Sequence, residues 1–570
     1  MSDRKPSTRS DDTLPNGGHV VVDTLAQWGA NAVFGLHGVQ IDPIFQACID
    51  RGIPLVDVRH EASAGFAAEA YARVTGGLGV AAVCPGPGFT NVVTSIANAR
   101  FDRSSVVYLV GSAPLALMGS NGLQVGLDHV ATAAAITKWA ARVESVDMLG
   151  SMLREAARIA TTAPRGPVLL DIPADMLAAP SATVNPSVGA ATDQAHVLSA
   201  SPTQHLSAAD IDRCAELLRD AKRPALMVGH TPSAAARTAI ADFVERSSVP
   251  CFLGYGGLGS LADDHPLFGG TLFQMGRLDP EARPDVVVAV GVQFGFETPG
   301  VRDGGAAWGT AVVHIDADPA EIGRFAPARI GIVADPDAAL AALAGAIAPG
   351  DFSVDTSWLR AVAASRDRSR RSFDSLAAEP GDRMHPYVAG RAISEVAASV
   401  GATVVGDGAI CKHWLHDALR LPLGARYLTH GRLGCMGTGL GQAIGAALAE
   451  PTRPVVCVTG DGAVGFSIAE FETLVRLALP VVVVVMNNAR WGASQGFQMR
   501  PGGPQRIVGT ALPDADYHLV MTAFGGNGGR VETVGELTVA LDSALRSGVP
   551  TCLNASIGNV GPAPEMALFH

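Results

Sequence analysis

The chain has 570 residues, of which 48% are apolar and only 17% charged. That length and composition imply large buried cores spread over about three to four domains. A formal net charge of −12 with no basic patch excludes nucleic acid and anionic membrane surfaces as partners. The longest apolar run, residues 477–486, is too short to span a bilayer and holds Pro480. Eight scattered cysteines without a Cys-x-x-Cys pair suit reduced thiols and a cytoplasmic location.

Residues 1–18 are polar and rich in Ser, Asp, Gly and Pro, and read as a disordered leader. From 19 to 180, strand-like runs at Ala32–Leu36, Pro54–Val58, Gly79–Cys84, Val106–Val110 and Val168–Ile172 alternate with helical stretches, the clearest being Ala62–Val74. Residues 181–206 shift to a linker composition. The alternation resumes over 207–348, with strands at Pro224–Val228, Val249–Leu253, Asp285–Val290, Ala311–Ile315 and Ile330–Val333 and a closing helix at Asp337–Ile347. A second linker, 349–384, carries a charged helical stretch at Trp358–Ser375, and a third segment runs from 385 to 570. The pattern is that of the α/β class, with three doubly wound parallel-sheet domains.

The third segment holds the most informative motif. Pro454–Thr459 reads as a strand leading into Gly460-Asp461-Gly462. A helical stretch follows over Ala463–Ala478, and the valine-rich strand Val481–Met486 closes on Asn487-Asn488. That spacing sets a carboxylate and a carboxamide at the ends of two strands joined by one helix, the edge where open parallel sheets collect ligands. One acid oxygen and one amide oxygen suit Mg²⁺ holding a phosphorylated ligand. The glycines permit close backbone approach, and the next helix offers its N-terminus to an anion. An ordinary strand–turn–helix crossover in which Asp461 caps a helix is the alternative.

These residues resemble the thiamine-diphosphate motif of the acetohydroxyacid synthase, pyruvate decarboxylase and benzaldehyde lyase group. The resemblance extends along nearly the whole chain through Phe34-Gly35-Leu36-His37-Gly38, Arg59-His60-Glu61, Gly86-Pro87-Gly88-Phe89-Thr90-Asn91 and Gly434-Cys435-Met436-Gly437. Within the group it looks closest to benzaldehyde lyase, through Ile136–Ala140, Ala163–Asp171 and Asn487–Ala493. It implies a pyrimidine-binding domain, a Rossmann-like middle domain without an evident flavin signature, so that no FAD is expected, and a diphosphate-binding domain. It also implies Mg²⁺ ligands from the side chains of Asp461 and Asn488 and the carbonyl of Arg490. Gly460, Gly462 and Ala463 would receive the diphosphate. Gly434 and Met436 would meet the pyrimidine, with Met436 wedged between the two rings. Glu61 would share a proton with the pyrimidine, an acid–base role; capping Ala62–Val74 is its alternative.

Around the reacting carbon the resemblance implies His37, Gln40 and Gln124. Gln40 stands where benzaldehyde lyase carries histidine, and an amide cannot shuttle protons near neutral pH as imidazole can. Lys412 and His413 replace Tyr and Leu and would line the substrate pocket with Trp491 and Ala493, making it more polar, unless both face solvent on a helix. The activity so implied is a carbon–carbon lyase or carboligase that forms or cleaves 2-hydroxyketones from aldehydes, ketones or 2-oxo acids. Its minimal unit is a homodimer, or a homotetramer, with active sites between subunits. A decarboxylating acetolactate synthase using pyruvate, a 2-hydroxyacyl-CoA lyase and a catalytically silent cofactor-binding paralogue are the alternatives.

Overall fold

The computed structural model describes residues 15–180, 206–229, 234–298, 305, 308–348, 350–352, 354–378 and 381–561. The stretch 181–205, read above as linker, lies outside the described residues. Three six-stranded sheets, all parallel, follow one another along the chain.

The first sheet contains β1 (Val33–Gly35), β2 (Leu55–Asp57), β3 (Gly79–Val83), β4 (Val106–Ser112), β5 (Trp139–Arg142) and β6 (Val168–Pro173). Across it they run β2-β1-β3-β4-β6-β5. The second holds β7 (Pro224–Val228), β8 (Cys251–Leu253), β9 (Phe268–Thr271), β10 (Val286–Val290), β11 (Ala311–Asp316) and β12 (Ala328–Val333). Its order, β9-β8-β7-β10-β11-β12, is that of a dinucleotide-fold sheet. The third holds β13 (Thr403–Gly406), β14 (Arg426–Thr429), β15 (Val455–Gly460), β16 (Val481–Asn487), β17 (Asn527–Val531) and β18 (Thr551–Ser556). They run β14-β13-β15-β16-β18-β17, repeating the topology of the first sheet.

The central strands are apolar on both faces because helices cover both. Val481 to Val485 are at most 1% exposed. In the first two sheets, two strands have no counterpart in the sequence reading, and in the third only β15 and β16 have one. In β5, Trp-Ala-Ala-Arg sits half-buried at an edge with no alternation, and β9, Phe-Gly-Gly-Thr, is half glycine.

Three expectations need correction. The first helix begins at Gly17, inside the stretch read as leader, with Asn16 as its N-cap. Its two leading glycines let it lie against other backbone: a Cβ at Gly17 would come within 2.1 Å of the Met176 carbonyl oxygen, and one at Gly18 within 2.1 Å of that of Pro43. The helix expected over Ala463–Ala478 is broken into Asp461–Val464 and Glu470–Arg476. Gly465, a poor helix former, ends the first piece, and the turn carries Phe466 outward to Trp491. The second linker is mostly one 22-residue helix, Thr356–Ala377. Its Trp358 and Val362 pack under the second sheet, and its Phe373 packs with Tyr387 and Trp414 of the third unit.

The first and third units meet along helices Glu61–Thr75 and Gly439–Ala449. Gly441 and Gly445 allow the approach: a Cβ at Gly445 would lie 2.1 Å from the Ala67 carbonyl oxygen, and one at Gly441 2.9 Å from that of Ser63. Both obstacles are backbone and cannot swing aside. Gly445→Ala should therefore lower the unfolding midpoint, at a cost of about 1–3 kcal/mol for overpacking. Thermal or denaturant melting checks this, and an unchanged midpoint would mean that the two helices part without loss.

Candidate active site

The strand register brings the motif residues to one edge. Gly460 pairs with Met486, Asn487 with Ser556, and Gly406 with Val458, so three chain segments leave the third sheet side by side. Behind them opens a cavity of about 550 Å³. Asp461, Asn488, Arg490, Met436, Trp491 and Ala493 all line it, as do Gly460, Gly462 and Ala463. Every lining residue comes from the third unit.

Asp461 is 4% exposed, and its Oδ2 accepts from the Arg490 backbone N–H at 3.0 Å. Burial pushes its carboxyl up to about 6, since one backbone cluster offsets little of the lost hydration. Asn487 is committed to structure: its amide donates to Asp514, Ala515 and Asn554, and its oxygen accepts from Ala489 N–H. The Asn488 amide has no such partner among the described residues, and it faces the cavity beside Asp461. A buried carboxylate and an open carboxamide are an oxygen donor set for a hard cation. No group of three His, Cys, Asp or Glu side chains suited to a metal occurs among the described residues. The glycines form a cradle that side chains would fill. A Cβ at Gly462 would meet the Trp491 ring at 2.5 Å, and one at Gly460 would lie 3.2 Å from Cys411 Sγ. These features fit a metal-bound diphosphate.

A second Gly-Asp-Gly, Gly406-Asp407-Gly408, ends the neighbouring strand and has no part in the sequence reading. Asp407 is 1% exposed and accepts from Gly408 N–H at 2.7 Å, Gly437 N–H at 3.0 Å and Thr459 Oγ1 at 3.1 Å. Fully occupied, it fastens the Met436 loop to the sheet. That loop has positive φ at Gly434 (74°) and Gly437 (78°). Its other end is held by the first unit, where Asp102 Oδ2 accepts from Gly431 N–H at 3.0 Å and Arg73 donates to the Thr429 carbonyl at 2.8 Å. Met436 is left 37% exposed at the mouth of the cavity.

The first unit gathers a separate set. Glu61 starts its helix and is 8% exposed. Its Oε2 accepts from Asn91 Nδ2 at 2.9 Å, and its Oε1 faces Gly88, where a Cβ would come within 3.4 Å. The capping alternative falls to His60, whose ring accepts from Ala62 N–H. Glu470 of the third unit accepts from the Arg59 and His60 N–H groups at 3.1 Å and so fixes the helix start. Gln40 Nε2 donates to Gln124 Oε1 at 2.8 Å, which joins two predicted residues 84 positions apart. Gln124 holds φ of 59°, a left-handed conformation uncommon for a side chain of its kind. His37 is exposed and pairs with Asp42 at 3.0 Å.

Lys412 and His413 depart from expectation. Both are buried, at 2% and 4% exposure, so neither faces solvent, and neither lines the cavity at Asp461. Lys412 Nζ lies 3.1 Å from His430 Nε2 and 6.0 Å from the centre of the Phe296 ring. Burial lowers its pKa to about 8 and that of His413 to about 3. The helical period explains the outcome. Ile410 and Cys411 turn toward the cavity at Asp461, and the next residues on Ile410–Ala418 turn toward the second unit. There a larger cavity of about 980 Å³ opens between the units, with Arg103, Gln293, Glu297, His430 and Arg432 among its walls. Burial, with a contribution from Asp102, pushes the Glu297 carboxyl up to about 7.

Known proteins supply the remaining evidence. Family models described as the thiamine pyrophosphate enzyme N-terminal TPP binding domain, central domain and C-terminal TPP binding domain match residues 15–132, 211–343 and 399–555. An acetolactate synthase large subunit of Mycobacterium tuberculosis is 34% identical over 96% of this chain and 97% of its own length. The acetolactate synthase isozyme 2 large subunit of Escherichia coli is 30% identical over 95% of each chain. A human 2-hydroxyacyl-CoA lyase 2 is 29% identical over 96% of this chain and 90% of its own. With three family domains in order and such identity along its whole length, the chain belongs to the thiamine pyrophosphate enzymes.

Proposed function

We propose that the chain is a thiamine-diphosphate- and Mg²⁺-dependent lyase and carboligase that forms or cleaves 2-hydroxyketones, with an aldehyde or a 2-oxo acid as donor. The pairing of Asp461 with the unpartnered Asn488 amide on a glycine-lined cavity carries the reading. These two side chains and the Arg490 carbonyl would hold Mg²⁺, with the diphosphate along Gly460, Gly462 and Ala463. Bound there, the cofactor supplies a thiazolium carbon able to attack a carbonyl and to stabilise negative charge on the carbon it captures.

The chain's own groups do the rest. Glu61, with one oxygen taken by Asn91, has its other oxygen left to meet the pyrimidine, with which it would share a proton. Met436, which lines the cavity, would pack against the bound cofactor and help to orient it. In the Gln40–Gln124 pair, one amide N–H and one amide oxygen are spent on each other, which leaves a donor on Gln124 and an acceptor on Gln40 for the substrate's oxygens. Ile410, Met486, Trp491, Ala493 and Ile557 make the cavity wall apolar. With Lys412 and His413 turned away, donors whose side group is short and apolar are preferred over donors whose side group carries a further negative charge.

The catalytic unit is a homodimer, which can pair into a tetramer. Its support is that Glu61, Gln40 and Gln124 sit on the first unit, whereas the Asp461 cavity is walled by the third alone. Apolar side chains are bare beside both: Val39 is 83% and Leu123 87% exposed near the first set, and Phe466 is 59% exposed near the second. A second copy would cover them. All eight cysteines are free thiols, which supports a cytoplasmic location. No helix among the described residues is long and apolar enough to cross a membrane.

Purified chain with cofactor and Mg²⁺ should turn over 2-oxo acids or acyloins. Carbon dioxide released from pyruvate identifies an acetolactate-type donor step, and acyloin cleavage without it a lyase-type step. No turnover of either class sinks the reading. Glu61→Gln and Asp461→Ala should each lose about 100-fold or more in activity. Mixed and allowed to exchange subunits, the two inactive variants should regain about a quarter of wild-type activity, because one site of each mixed dimer is intact. A mixture that stays inactive would place both residues in one chain's site. Lys412→Met should keep the substrate profile and raise stability at neutral pH. The lysine is charged in both folded and unfolded chains below pH 8, so its desolvation penalty is fully present there and fades between about 8 and 10.5. Thermal melts at pH 7 and pH 10 should show the gain at the lower pH and little at the higher.

A further inference from the structure

His129 has no assigned part in the reaction, yet it is 2% exposed and engaged at both ring nitrogens. It begins the short helix His129–Ala133, which Asp128 caps. Its Nδ1 lies 3.2 Å from Asp171 Oδ2 on β6, and the same oxygen accepts from Arg142 Nη2 at 2.9 Å on β5. Burial raises the Asp171 pKa, but the bonds from His129 and Arg142 oppose it, and the carboxyl is held below its usual range. A fixed carboxylate at Nδ1 demands an N–H there, so Nε2 is the acceptor. It receives the Gly86 N–H at 3.4 Å, while the ring packs on Phe89 at 4.8 Å between centroids.

Gly86 is the hinge of this arrangement. Its φ of 63° and ψ of −113° are open to glycine and to little else, so its peptide keeps one orientation only if something holds it. A Cβ at Gly86 would sit 3.2 Å from Gln124 Cγ, so the Gln124 side chain rests on this peptide. Gln124 in turn holds Gln40. Beneath them a cavity of about 500 Å³, lined by Gln124, His129, Arg142 and Asp171, gives Gln124 room to swing away.

We propose that His129 is a positioning residue: backed by Asp171 and Arg142, it fixes the Gly86 peptide and thereby holds Gln124 against Gln40 at the reacting carbon. This rests on the active-site reading above. It makes His129 neither acid nor base, because both nitrogens are already used.

The test uses the full-length chain with thiamine diphosphate and Mg²⁺. His129→Phe keeps the ring volume and the packing on Phe89 but has no acceptor. It should speed deuterium uptake in the peptide spanning residues 84–90. It should lower kcat about tenfold or more while leaving half-saturation by the cofactor within about twofold, since misplaced groups cost turnover and the Glu61–Asn91 contact is untouched. His129→Gln, which returns an acceptor near Nε2, should recover part of both losses and serves as the probe if the phenylalanine variant does not fold. In a Gln124→Ala background, His129→Phe should cost less than about twofold further, because its action passes through the missing side chain. Unchanged uptake over 84–90, or the same fold-loss with and without Gln124, would overturn the assignment. A wild-type chain without cofactor-dependent turnover would instead overturn the proposed function, and the exchange measurement would still decide whether His129 holds Gly86.

Discussion

The contact between helices Glu61–Thr75 and Gly439–Ala449 is the constraint on which the rest depends. It is a backbone-to-backbone approach, possible only because Gly441 and Gly445 carry no side chain. Around it, polar anchors cross between the two units. Glu470 takes the Arg59 and His60 N–H groups, Arg73 reaches the Thr429 carbonyl, and Asp102 takes the Gly431 N–H. Dispersion and burial supply the adhesion along the helices, while these buried charge-assisted bonds set the register. Two segments are positioned at once, the start of the Glu61 helix and the loop that carries Met436.

The third sheet uses one short motif for two opposite purposes. Both Asp407 and Asp461 follow a strand and are flanked by glycines. Asp407 has its oxygens occupied by Gly408, Gly437 and Thr459 and acts as a rivet. Asp461 is left with an oxygen facing a cavity, and burial raises its pKa. A carboxylate in that condition costs free energy until a cation answers it. The difference lies in the neighbours, which is why local sequence could not rank the two.

Parallel sheets were legible because strands covered by helices on both faces are written as unbroken apolar runs, as at Val481–Met486. What failed was written weakly. β5 and β9 are an edge strand and a glycine-rich one, and the helix drawn through Gly465 followed an apolar period that the chain does not keep. The motif residues around Asp461 and Asn488 were legible because strand-end residues of adjacent parallel strands must share an edge. Lys412 and His413 were misjudged because their helix presents one side to the cavity at Asp461 and the other to the second unit, and which side holds which residue is a rotation of about 100° per position.

The sequence by itself determined the class of fold, the succession of three α/β units along the chain and the family. Those depend on period, strand ends and short-range spacing. Only the tertiary structure decided that Gln40 meets Gln124, that Asn91 takes one oxygen of Glu61, that Asp407 is spent on the Met436 loop, and that His129 reaches Gly86. Each of these joins residues distant in sequence through the packing of separate elements, and no local pattern of side chains encodes where two such surfaces come to rest.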